Sequence, residues 1–193
     1  MKKVSFAAVA AVVFAAAPVK AQVFTPPFQS TERAGDIGLY LSDGPGDLAV
    51  EGIWRRNLGT GDLGLRAGFA DLGDGELMLG ADWKQPLALG TAPVDLALTF
   101  GGQAVLGDVD GIGGQVGLLF GHTFAEPGVR ITPFVHPRVA LVSALSGGGE
   151  DDAKLDVLAD VGADFGFAPN LSLRVGVNLG AGADWGIGLA WRR

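Results

Sequence analysis

The strongest constraint on this chain is an alternation of large apolar with small or polar residues at period 2, which recurs along most of its length. The clearest run places Leu171, Leu173, Val175, Val177 and Leu179 on one face and Ser172, Arg174, Gly176 and Asn178 on the other. Leu155 to Phe165 repeats the pattern with Asp156, Asp160, Gly162 and Asp164 on the second face, Leu158 being the exception. Trp185, Ile187, Leu189 and Trp191 alternate with Gly186, Gly188, Ala190 and Arg192. Side chains of a strand point to opposite faces in turn, whereas a helix needs a period near 3.6 residues. No stretch from Gly35 onward shows the helical period. The chain predicts an all-β fold.

Turn chemistry cuts this pattern into ten segments, near 35–42, 48–56, 62–71, 76–84, 94–106, 112–122, 129–145, 154–167, 171–180 and 184–192. The connections between them are rich in Gly, Pro, Asp or Asn, the residues that turns select. The spacing is a hairpin rhythm. A strand of about ten residues tilted by about 40° rises about 26 Å, which matches the apolar band of a membrane-spanning barrel.

Composition narrows the class further. The chain has 193 residues, 14 Lys+Arg against 21 Asp+Glu, and no Cys. An acidic balance without basic runs argues against nucleic acid as a partner, and the absence of Cys removes disulfide frameworks and thiolate sites. Lys2 and Lys3 precede an apolar run from Val4 to Ala17, and Val19-Lys20-Ala21 offers a cleavage site. Residues 1–21 therefore predict a cleaved signal peptide, and 22–34 an irregular periplasmic lead.

Alternation alone does not separate a barrel from a soluble sandwich; the second face does. It carries Gly, Ala and isolated charges, as the crowded inside of a small barrel requires. Aromatics also sort by end. Trp54, Trp83, Phe120, Phe165, Phe167 and Trp191 close the five downward strands, which predicts an aromatic girdle at the periplasmic interface. Tyr40, Phe69 and Trp185 would form a thinner girdle opposite. Asp43, Asp47, Asp74, Glu76, Asp108, Asp110, Glu150, Asp151 and Asp152 fall in the outer connections, and Arg55, Arg56, Lys84, Arg130, Arg192 and Arg193 at the other end.

With these features the chain resembles the small outer-membrane β-barrel proteins over essentially all of its mature length. The most specific part is the last strand, where Asp184, Gly186, Leu189 and Trp191 match the spacing of the terminal signal read by the barrel-assembly machinery. The departure is Arg192-Arg193 after the aromatic. The resemblance implies a single antiparallel transmembrane β-barrel over 35–193, with ten strands expected and eight the alternative. It also implies an outer-membrane location and contact with outer-membrane lipid and lipopolysaccharide.

Hairpin geometry sets Arg66 opposite Asp82, Lys84 opposite Asp95, Arg138 opposite Asp160 and Asp164 opposite Arg174 on the inner face. Outward, each cation near the bilayer midplane would cost about 2–4 kcal/mol. These pairs either plug a narrow barrel or line a charge-selective pore. Inward Phe134, His136 and Met78 favour the plugged form, and a narrow passive channel for small solutes is the competing reading. An adhesin is weakened by short outer loops.

The barrel enzymes of lipid A and phospholipid chemistry need a His within reach of a Ser. His122 has no Ser near its end, and Ser143 and Ser146 are too far along the strand from His136, so no enzyme activity is expected. Asp108-Val109-Asp110-Gly111 and Asp71 to Glu76 read as turns rather than calcium loops, because the position of a bidentate Glu is taken by Leu119. No cofactor or metal is expected. The expected role is structural or interactive, with a salt-bridged, mostly closed lumen.

Overall fold

The structure, a computed structural model, describes residues 28–32, 35–43, 48–70, 75–90, 93–107, 110–145, 153–180 and 184–192. The expected signal peptide lies outside them, as do Asp47, Asp74, Asp108, Glu150, Asp151, Asp152 and Arg193 of the charge pattern.

The strands are β1 (Asp36–Asp43), β2 (Leu48–Asn57), β3 (Asp62–Ala70), β4 (Glu76–Leu87), β5 (Asp95–Leu106), β6 (Gly111–Gly121), β7 (Phe124–Glu126), β8 (Val129–Ala144), β9 (Lys154–Ala168), β10 (Leu171–Leu179) and β11 (Asp184–Arg192). Ten long strands pair antiparallel with their sequence neighbours, β6 with β8, and β1 with β11, so the sheet closes. The three-residue β7 continues the register of β6 against the start of β8. The fold is the expected all-β barrel with ten strands.

Following the registers once around from Leu39 returns to β1 about 12 residues away, and for ten strands that stagger sets a tilt of about 40°. Closure leaves no sheet edge, so nearly every backbone polar group of the wall is paired internally, as a span through hydrocarbon requires. One lapse falls between Gly117↔Arg138 and Phe120↔Val135, where Pro137 has no N–H to give to β6.

Burial follows the alternation with the apolar face outward. Leu39, Leu65, Val116, Leu141, Ile187 and Leu189 are exposed, while Glu51, Arg66, Arg138, Asp160 and Arg174 on the inner face are buried. A water-soluble protein would invert this. The wall is built for lipid.

Glycine on the inner face makes room for large side chains from neighbouring strands. The Tyr40 ring lies across Gly38 and Gly188, and a Cβ on Gly188 would sit 2.0 Å from that ring. Tyr40 is therefore inside the barrel, 1% exposed, and is no part of an outer girdle. The alternation favoured this, since Tyr40 shares the face of Asp36, Gly38 and Ser42.

Gly188→Val should lower the unfolding free energy by about 2–3 kcal/mol through overpacking, read by urea unfolding in detergent. Adding Tyr40→Ala should recover part of that loss, and a double variant no better than the single one would place the ring elsewhere.

Candidate functional site

The lumen is filled at three levels. The lower end is taken as the one where the chain enters β1 and leaves β11. At the upper level Ala49, Ala70, Met78, Val105, Ala140, Val142 and Leu158 form a buried apolar cluster. It is assembled from inward positions of β2, β3, β4, β5, β8 and β9, beneath the outer connections.

The middle level holds two groups of ion pairs. Arg66 donates to both oxygens of Glu51, at 3.0 and 2.6 Å. Arg138 donates to both oxygens of Asp160 at 2.8 and 3.1 Å and also bonds Gln115. Asp160 further meets His136 Nδ1 at 3.1 Å, and His136 Nε2 lies 2.7 Å from Thr99 Oγ1. His136 reaches Thr99 over Gly117, whose missing side chain leaves that space.

The lower level is the most polar. Arg174 bridges Asp164 at 2.9 Å and Asp36 at 2.5 Å and donates to Tyr40 Oη at 2.8 Å. Lys84 pairs with Asp62 at 3.1 Å. Charges this deep are tolerated only with partners, because an isolated one would forfeit its hydration without return.

The geometry corrects three of the four expected cross-strand positions. Asp164 does lie opposite Arg174. Arg138 lies opposite Leu158, and its bond to Asp160 is diagonal, Asp160 itself facing His136. Arg66 lies opposite Gly80 and pairs with Glu51, while Asp82 lies opposite Gly64 and bonds Gln29. Lys84 lies opposite Asp62 on one side and Thr99 on the other. Asp95 is exposed at the lower rim, at the first position of β5 opposite Gly121. Each shift comes from counting a turn as symmetric when its true centre lies elsewhere, which slides the pairing by even steps and keeps the face.

Two features escaped the sequence reading. One is the Thr99–His136–Asp160 chain, in which a threonine lying 37 residues from the histidine takes the hydroxyl position that a serine would occupy. It resembles a nucleophile–base–acid order, yet Thr99 and His136 are 5% and 1% exposed and Asp160 is shared with Arg138. The other is the lead before β1. Phe28, Gln29 and Ser30 are buried inside the barrel at 2%, 4% and 4% exposure, where an irregular periplasmic lead was expected. The Phe28 ring packs on Tyr40 at 4.4 Å between centroids, over Gly186. Glu32 meets Arg130 at 2.7 Å and pairs with Arg192 at the lower rim.

The remaining expected residues lie on the wall. Trp54 and Trp191 flank Ile37 from both sides at one level. Trp83, Phe120, Phe165 and Phe167 also point outward near the lower end; Phe120 and Phe167 are exposed, and Trp83 and Phe165 are half-buried. In the last strand Leu189 and Trp191 face out, whereas Asp184 and Gly186 face the lumen. Gly52 and Ala67 leave an apolar depression of about 560 Å³ on the outer wall between Leu39, Trp54 and Leu65.

No protein-family model and no curated protein matches the chain. Among solved structures, the KdgM porin aligns with a TM-score of 0.43 at 9% identity, over 82% of this chain and 99% of the porin. The Yersinia pestis outer membrane protein Ail aligns at 0.42 and 12% identity, over 84% of this chain and 100% of Ail. LpxR from Salmonella typhimurium aligns at 0.43 and 13% identity, over 90% of this chain and 78% of that one. At these levels they are distant likenesses of a barrel.

Removing one partner of the Arg138–Asp160 pair leaves the other charge buried. Arg138→Leu should cost about 3–5 kcal/mol in urea unfolding. The double variant Arg138→Leu with Asp160→Leu should be less destabilised than the single one. The pair is misassigned if the two losses simply add.

The chain forms a closed ten-strand antiparallel barrel of the transmembrane kind, with an apolar wall and a packed, ion-paired lumen.

Proposed function

We propose that this is an exported outer-membrane barrel that does not conduct, serving a structural or interaction role in the envelope. The observation that carries the reading is the filling of the bore at three successive levels by an apolar cluster, paired charges and the segment 28–32. A ten-strand barrel is only slightly wider than the eight-strand kind that side chains fill. Here Tyr40, Phe134, His136 and Arg138 point into that width, and all four are buried.

In this reading the lower end is periplasmic, because the outward aromatics Trp54, Trp83 and Trp191 gather there, where the chain enters β1 and leaves β11. Asp184, Gly186, Leu189 and Trp191 are then available to the barrel-assembly machinery during biogenesis. The wall contacts lipid and, at its upper end, lipopolysaccharide. The protein works without a cofactor and without catalysis; Thr99, His136 and Asp160 hold β5, β8 and β9 in register from inside.

In a planar bilayer the purified protein should insert without discrete current steps across the usual voltage range. Reproducible steps with a defined unit conductance would overturn the closed lumen in favour of a channel.

A further inference from the structure

We propose that the lower half of the lumen is a binding site for a short peptide, and that residues 28–32 are its ligand carried in cis. The segment lies within the barrel without belonging to its sheet. Among the described residues, it makes no backbone hydrogen bond to any strand; its attachments run through side chains of the wall. The closing ladder of β1 on β11 begins at Asp36, after the segment ends. The wall around it is also held by its own ion pairs, Arg174 with Asp36 and Asp164, and Lys84 with Asp62. Part of the site is thus held together by pairs that do not involve the segment.

The wall reads the segment along its length. The ring of Phe28 enters a slot floored by Gly186 and faced by Tyr40, with Ile53 beside it. Gln29 donates to Asp82, and Ser30 Oγ lies 3.4 Å from Asp164. Lys84 Nζ reads the backbone, reaching the carbonyls of Ser30 at 2.8 Å and Glu32 at 2.5 Å. At the rim Glu32 is held by Arg130, Arg192 and the Thr132 hydroxyl, the last at 2.9 Å. Lys84 is 3% exposed and Asp82 7%, so these are buried recognition groups.

The specificity this builds is an aromatic side chain deep in the bore and a carboxylate four residues later at the rim, joined by an irregular backbone that bends at Thr31 and Glu32. Arg192 gains a role here, since the residue that follows the terminal aromatic Trp191 becomes part of the grip on Glu32.

The inference rests on the filled lumen but fails separately from it. The upper apolar cluster lies above the segment, so loss of residues 28–32 leaves the bore closed to ions.

The test uses the full chain with a protease site introduced at 33–34. After cleavage of the folded barrel, a labelled synthetic peptide of residues 22–34 in excess should replace the cut fragment and bind at one per barrel. Phe28→Ala or Glu32→Lys in the peptide should weaken binding at least about tenfold, and a scrambled peptide should not compete. A fragment that never exchanges while the barrel stays heat-modifiable on a gel would overturn the proposal, as would equal binding of the scrambled peptide. A variant deleted for residues 22–34 gives a second readout. If it folds, by the same gel criterion, it should bind the peptide saturably and remain silent in a bilayer. A folded deletion variant with no affinity for the peptide would also overturn the proposal.

Discussion

Closure of the sheet on itself is the constraint from which the rest follows. Once β1 pairs with β11, the wall has no edge and its outer face is free to be apolar, because the backbone needs nothing from its surroundings. The inner face then bounds a narrow cylinder whose diameter is set by strand number and stagger rather than by what happens to point inward. The contents must fit that cylinder.

Size complementarity meets this demand strand by strand. Where one strand sends in a large group, its neighbour offers glycine: Tyr40 over Gly38 and Gly188, Phe134 over Gly162, the Arg66 stem over Gly80. Charge complementarity meets the other half. The inner cations lie against carboxylates from other strands, and Arg174 links β1, β9 and β10 through Asp36 and Asp164. These side-chain bridges join adjacent or next-but-one strands from the inside, so the lumen braces the wall that surrounds it.

The architecture was largely legible in the sequence because its code has period 2. Strand positions came out within one or two residues at most boundaries, since apolar, Gly-rich and turn residues mark them without help from distant partners. Strand β4 ran further than expected, to Leu87, because Gln85 and Pro86 look like a turn but pair with Leu98 and Ala97. What was not legible depended on exact register. Which face a residue occupies survives an even slip, so Arg66, Asp82 and Lys84 point inward as expected while their partners differ. Asp95 was misplaced because a rim position and a lumen position look alike until the turn is fixed. The burial of Phe28 to Ser30 was invisible for another reason. Outside the strands no periodicity says whether a polar segment lies in solvent or in a polar bore, and the Thr99 contact to His136 joins residues 37 apart.

The position of residues 28–32 gives the molecule an unusual topology of enclosure. Phe28 lies at the level of Gly186, about 15 Å along the axis from Arg192 at the rim. The hydrogen-bonded ring closed by the first and last strands thus encircles a stretch of the chain that precedes the first strand. A ribosome makes the enclosed part first and the enclosing ring last, so the chain finishes its container around its own beginning. The last strand to be synthesised is also the one that supplies both the floor beneath Phe28 and the guanidinium on Glu32. Completion of the fold is therefore registered on the segment before the first strand as well as on the wall, and a chain cut short before its final strand lacks both the closing ladder and the last two contacts on that segment.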